Sequence, residues 1–194
     1  MDRRSAASEA TRLRVVEAAV ALHGERGPAA TRWADIAERA DVALGTVYRY
    51  FPTYAELMPA CTSHAGQYTR PPTAEIFNRC QSAADRLAAL VREFFAFYER
   101  AAAWLRHGDC DRRKIPALDA IYRRREAAFE ALVRLAVGPG AHAHDVDMAV
   151  ALTSFSTWRT LQDRAVPTAV ATTLVTDVLM RWAGGDRKRR RNST

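Results

Sequence analysis

Cysteine, glycine and long apolar runs are all in short supply: the 194-residue chain has three Cys and nine Gly. Cys61, Cys80 and Cys110 are odd in number and form no CxxC pair, which argues against a disulfide framework and a zinc ribbon and for a reducing, cytoplasmic setting. No stretch of about 18 apolar residues escapes interruption by charge, so no membrane span is expected. Arg12, Arg14 and Glu17 break up the opening segment, which therefore lacks the apolar centre of a signal peptide. The chain also has no Gly-rich phosphate loop, GxSxG, HExxH or paired Glu-x-x-His motifs, so neither catalysis nor a cofactor is expected.

With 48% apolar and 26% charged residues, the composition is that of a globular chain, of one to two domains at this length. Its 29 Lys+Arg exceed its 22 Asp+Glu by the formal +7. That excess is unevenly placed. Residues 1–60 hold eight arginines and eight acids and are neutral, whereas Asp186 to Arg191 alone carry one acid and five bases. Arg112 to Lys114 and Arg123 to Arg125 are further basic clusters, read as a loop and an exposed helix face. Bulk charge does not mark a nucleic-acid-binding end; only the placement of particular residues can.

Alanine occurs 38 times, and the apolar residues recur at helical spacing with no competing strand pattern, so the chain reads as all-α. A first helix is predicted from Glu9 to Arg26, with Leu13, Val16, Ala19, Val20 and His23 on one stripe, capped by Gly27 and stopped by Pro28. Thr31 is placed to cap a short second helix through Ala40, with Asp35 near its positive end and Trp33, Ile36 and Ala37 inward. Asp41-Val42 turns into a third helix, Leu44 to Phe51, with Val47 and Phe51 inward, and Pro52 ends it. A fourth helix is predicted from Tyr54 to Thr69, kinked or delayed by Pro59.

Beyond an Arg70-Pro71-Pro72-Thr73 linker, an amphipathic helix is predicted over Ala83 to Leu105, then a polar break over His107 to Lys114, then a helix over Pro116 to Val137. Two last helices are predicted over Val146 to Asp163 and Pro167 to Trp182, with Gly184-Gly185 releasing a basic, disordered tail over 185–194. That tail either adds non-specific nucleic-acid affinity or is a solvated end.

Two short helices joined by a turn, with one helix before and one after, is the arrangement of a helix-turn-helix DNA reader. Val47 and Phe51 face inward, so Leu44, Gly45, Thr46, Tyr48, Arg49 and Tyr50 face out or flank. The hydroxyls of Thr46, Tyr48 and Tyr50 suit phosphate oxygens, Arg49 suits a guanine edge or a phosphate, Leu44 suits a thymine methyl, and Gly45 lets backbone approach.

The run from Thr31 to Phe51, followed by Glu56-Leu57, closely resembles the signature of the TetR family of transcriptional regulators, over about residues 11 to 60. Ile36-Ala37, Gly45-Thr46-Val47-Tyr48 and Tyr50-Phe51 at their mutual spacing carry it most specifically. The resemblance implies that Thr46, Tyr48 and Tyr50 contact DNA, and that Thr31 and Arg32 open the helix crossing the backbone. Three positions depart from the family's pattern: a glycine is usual where Asp41 stands, a serine-like cap where Ala43 stands, and a lysine where Tyr54 stands. Asp41 tolerates a left-handed turn. The missing cap costs roughly 0.5 to 2 kcal/mol, and the missing lysine removes one phosphate contact. Arg3, Arg4 and Arg12 are expected to compensate from an arm in the minor groove.

The resemblance further implies a helix-turn-helix domain over residues 1–58 and a helical effector-binding and dimerisation domain over 59–184, the last two helices pairing in a homodimer that binds a palindromic operator. Small residues Ala149, Thr153, Ser156, Thr160, Ala169, Thr173 and Thr176, beside Leu152 and Leu179, are compatible with such pairing. Phe94, Phe95, Tyr98, Trp104, Tyr122, Phe129, Phe155 and Trp158 exceed simple packing needs and suit a pocket for a small hydrophobic effector, although each also suits plain core. His107, Asp109, Cys110 and Asp111 lack a second cluster at ligand spacing, and His142 and His144 would point apart on a helix, so no metal is expected. The rival readings are an enzyme and an architectural or partner-dependent protein that binds DNA without sequence preference.

Overall fold

The computed structural model describes residues 3–191, with side chains from Arg4 to Trp182. Helix α1 spans Arg3–Arg26 and ends where Gly27 takes a left-handed φ of 88°. It begins six residues before the expected Glu9, because the stretch from Arg3 to Ser8 holds no helix breaker and is rich in arginine and alanine. After a 3-10 turn, Pro28–Ala30, come α2 (Trp33–Arg39), α3 (Leu44–Tyr50) and α4 (Tyr54–Thr69). Asp41 sits between α2 and α3 with φ 52°, the left-handed turn its residue type tolerates. Pro59 lies inside α4 without delaying its start.

The cap of α2 differs from expectation. Its N-cap residue is Arg32, whose backbone N–H donates to Asp35 Oδ2 at 3.0 Å. Thr31 is instead buried, its hydroxyl donating to the Gly27 carbonyl at 2.8 Å. An acidic residue three positions into the helix takes over the capping role.

Helix α5 runs Ala83–Asp111 and so absorbs much of the expected polar break; α6 spans Pro116–Val137. The single helix expected over 146–163 is two, α7 (Ala143–Leu152) and α8 (Phe155–Asp163). Ser154 caps α8 by accepting the Thr157 N–H at 3.2 Å, and the Tyr98 hydroxyl donates to the freed Thr153 carbonyl at 3.0 Å. Helix α9 spans Thr168–Arg191, so helical backbone passes through Gly184 and Gly185, where the sequence suggested an end. Arginine and lysine are good helix formers, which offsets the two glycines. Residues 192–194 and the side chains beyond Trp182 lie outside the described residues.

By packing the chain forms two units, residues 1–70 with 101–124, and residues 71–100 with 125–194. In the first, α1 packs on α2 and α4, and α2 on α3, around Val15, Val16, Ala19, Ile36, Val47, Phe51 and Leu57. Leu13, expected inward, is exposed, and Val15 and Leu22 are buried in addition to the expected stripe, because α1 is covered on more than one side: Trp104 of α5 donates its indole N–H to the Val20 carbonyl at 2.9 Å. In the second unit, α7 and α8 pack on α9, whose Ala171, Val175 and Leu179 are buried at four-residue steps. Val170, Leu174 and Val178 repeat at the same step on α9 and are about half exposed. Of the small residues read as a pairing face, Ser156, Thr160, Ala169 and Thr173 are exposed and Thr176 is half-buried, whereas Ala149, Thr153 and the bulky Leu179 are buried.

Candidate nucleic-acid interface

Helix α3 presents its surface because its two anchors point the other way. Val47 is fully buried and Phe51, which caps the helix, nearly so; Leu44, Gly45, Tyr48 and Arg49 are exposed, and Thr46 and Tyr50 half-buried. A Cβ added at Gly45 would meet nothing within 4 Å, so the backbone there is open to approach. No side chain caps α3, since Ala43 stands at its N-cap in extended conformation.

The neighbouring elements hold this helix in place. The Trp33 ring of α2 lies 5.3 Å from Tyr48 and 5.0 Å from Tyr54. Tyr54, which stands where the family pattern usually has a lysine, donates its hydroxyl to the Thr31 carbonyl at 2.8 Å, and its burial pushes the phenol pKa up. The residue that departs from the family pattern thus ties α4 to the turn before α2. Asp35 accepts from Arg32 at 3.1 Å and pairs with Arg26 at 2.7 Å; the hydrogen bonds from Arg32, assisted by Arg26, hold its carboxyl below the usual range. Arg39 and Glu25, 2.7 Å apart, add a second link between α1 and α2.

Tyr50 is held by two residues, Ser8 and Arg49. Its hydroxyl lies 2.9 Å from Ser8 Oγ, and the Arg49 guanidinium sits 5.0 Å from its ring centroid with Nη2 3.5 Å from its oxygen. The Ser8 hydrogen bond, more than the charge of Arg49, lowers the phenol pKa. Ser8 carries no signal in the sequence, and it is presented because α1 starts early. The same early start puts Arg4, read as part of an arm, on a helix, and Arg12, within the predicted helix, lies 5.0 Å from the Phe51 ring.

The eight aromatic residues read as a pocket do not gather in one unit. Trp104 and Tyr122 belong to the first, Trp104 bonded to Val20 and Tyr122 to the Leu105 carbonyl at 3.4 Å, beneath the Arg112 guanidinium. Phe94, Phe95, Tyr98, Phe129, Phe155 and Trp158 belong to the second. There Tyr98 is central, 5.5 Å from Phe155 and 6.3 Å from each of Phe95, Phe129 and Trp158. Phe97, which the sequence did not single out, joins it at 5.6 Å.

His107 and Asp111 are not in a polar loop but on the last turns of α5, packed against Gly27, and Asp111 accepts the Ala29 N–H at 2.9 Å. His142 and His144 do not point apart: their rings stack at 5.3 Å, because His142 is an extended N-cap residue outside α7. No described helix is long and apolar enough to cross a membrane.

Among the described residues the regular structure is helical, and α2 and α3 form an exposed helix-turn-helix. Residues 15–61 match the family described as "Bacterial regulatory proteins, tetR family". The chain is 44% identical over 57 residues to the HTH-type transcriptional repressor KstR of Rhodococcus jostii, a match spanning 29% of this chain and 27% of that one. It thus spans about a quarter of the length of the curated relatives it matches. Among solved structures, a putative TetR-family transcriptional regulator from Rhodococcus sp. aligns over 88% of this chain and 98% of its own, with TM-score 0.66 and 20% identity. The multidrug binding protein EbrR, complexed with imidazole, aligns over 88% of both chains with TM-score 0.63 and 20% identity. These likenesses extend the fold over the chain beyond the reader. Residues 15–61 are thus similar to the tetR family of regulators.

Proposed function

We propose that the protein is a DNA-binding transcription regulator, acting as a repressor in the cytoplasm rather than as an enzyme. The observation that carries this reading is α3, anchored by Val47 and Phe51 and exposing Leu44, Gly45, Tyr48 and Arg49. In this reading α3 enters the major groove, Thr46, Tyr48 and Tyr50 bond phosphates, Arg49 reaches a base edge or phosphate, and Thr31 and Arg32 open the helix that crosses the backbone. The buried hydroxyl of Thr31 gives it a supporting part, through the turn that its bond to Gly27 fixes.

Residues 1–58 form the DNA-binding part, 59–184 the effector and dimerisation part, and 185–194 a basic tail. Two copies pair through the last two helices, with Val170, Leu174 and Val178 of α9 supplying apolar area. A two-fold dimer with reading helices about 34 to 36 Å apart binds a palindrome. A small hydrophobic effector, bound among the aromatic residues of the second unit, favours a spacing that no longer fits DNA. The multidrug binding described for EbrR supports an effector role for this fold.

The test is to incubate the full chain with sheared genomic DNA of its source at about physiological salt and sequence the recovered fragments. A shared palindrome supports the reading. Recovery without a common sequence overturns it in favour of an architectural or partner-dependent DNA binder.

A further inference from the structure

The second unit buries a hydrogen-bond donor that has no acceptor. Trp158 on α8 is 3% exposed, and its indole Nε1–H meets no partner among the described residues. Nearby deep polar groups are served: the Tyr98 hydroxyl donates to the Thr153 carbonyl and the Thr153 hydroxyl to the Ala149 carbonyl. A buried donor left unpaired destabilises the fold, and replacing the indole by an apolar ring would remove that penalty.

The surroundings indicate what an acceptor would arrive on. Trp158 stacks on Phe155 at 5.7 Å with the planes 25° apart, and Tyr98 lies 6.3 Å away. Phe129 continues the cluster, 4.5 Å from Phe94. Exposure is graded across these rings: Phe155 and Phe129 are half-buried, whereas Tyr98 and Trp158 are buried. The cluster therefore runs from half-buried rings to a buried floor that holds the unpaired donor. The Arg159 guanidinium lies 5.9 Å from the Phe155 centroid, a positive charge unfavourable to a cationic guest.

We propose that the effector is a flat, non-cationic aromatic compound bearing an oxygen acceptor, and that Trp158 Nε1 is the donor that selects for that oxygen. This deepens the effector reading above and rests on it. The aromatic rings supply affinity without regard to the oxygen, by area and stacking. The indole N–H supplies selectivity, because a ligand lacking the acceptor leaves the donor buried and unpaired.

A matched pair of probes separates the two contributions: 2-acetonaphthone, which carries a carbonyl, and 2-ethylnaphthalene, which does not. Binding to the full-length protein is measured by calorimetry, for the native chain and for Trp158→Phe, with folding of the variant checked by circular dichroism. The native chain is expected to bind the ketone about tenfold more tightly than the hydrocarbon, and Trp158→Phe to lose that preference while holding its hydrocarbon affinity within about twofold. Equal affinities on the native chain overturn the donor assignment yet leave effector binding standing, as does a ketone preference undiminished in the variant. Failure of both probes to bind the native chain overturns the effector reading at this cluster, and the proposal with it. Should the variant not fold, the native comparison still decides: a ketone preference with a ligand-induced shift of an indole N–H resonance in 15N-tryptophan-labelled protein supports the proposal, and a preference that leaves every indole resonance in place overturns it.

Discussion

His23 is buried in the first unit with its Nε2 unpaired, and that burial takes its pKa from 6.5 to about 4 against the opposing pull of the Asp111 charge. Below pH 6.5 the unfolded chain takes up a proton that the folded chain refuses. Stability is therefore full above about pH 6.5 and drains as pH falls to about 4, by roughly 3 kcal/mol. Asp35, Asp85 and Asp119, all held below the usual carboxylate value of 3.8, lose their contribution only under more acidic conditions, so the window belongs to His23. Urea unfolding across pH 4 to 6.5 checks this, and His23→Leu should flatten the slope. Gly27 makes a second prediction at this scale. Its φ is 88°, and an added Cβ would lie 2.6 Å from Asp111 Oδ2 and 3.0 Å from His107 Cβ. Gly27→Ala is expected to lower unfolding free energy at pH 7 by about 1 to 3 kcal/mol.

At the scale of the element, α3 is a seven-residue helix with no side-chain cap, although Ala43 already has the extended conformation an N-cap residue adopts. Ala43→Ser should raise stability by about 1 kcal/mol, read as an increase in denaturation midpoint with the slope unchanged. The gap at Ala43 was visible in the sequence because capping is local, and for the same reason so were the turn at Asp41 and the inward pair Val47 and Phe51. What could not be read was any break or extension made by a distant partner. At the division of α7 from α8, the local Ser154 cap is joined by Tyr98, 55 positions from the Thr153 carbonyl it satisfies. The last turns of α5 are held where Asp111 reaches Ala29, 82 positions away, so a polar stretch that reads as loop is helix. The aromatic excess was likewise visible as composition, but nothing local assigns Trp104 and Tyr122 to one unit and Tyr98 and Trp158 to the other. Ser8 was missed for the same reason, since its partner Tyr50 is 42 positions away.

For the whole molecule, the exposed Val170, Leu174 and Val178 of α9 carry the proposed pairing of two copies. Leu174→Arg should shift the protein to monomer in sedimentation-velocity runs at micromolar concentration while leaving its helical circular dichroism intact; a dimer that persists would move the interface elsewhere. The way the first unit is assembled has a different consequence. Trp104 and Asp111 secure α1 and the turn before α2, yet they lie on a helix that also supplies Phe94 and Tyr98 to the second unit. The reader is consequently no cassette. A chimera joined at residue 58 or 70 would exchange the exposed face of α3 while leaving the Val20 carbonyl and the Ala29 N–H to a foreign helix. Transplanting the reader into another scaffold would mean grafting two separate stretches of chain, residues 1–70 together with 101–124.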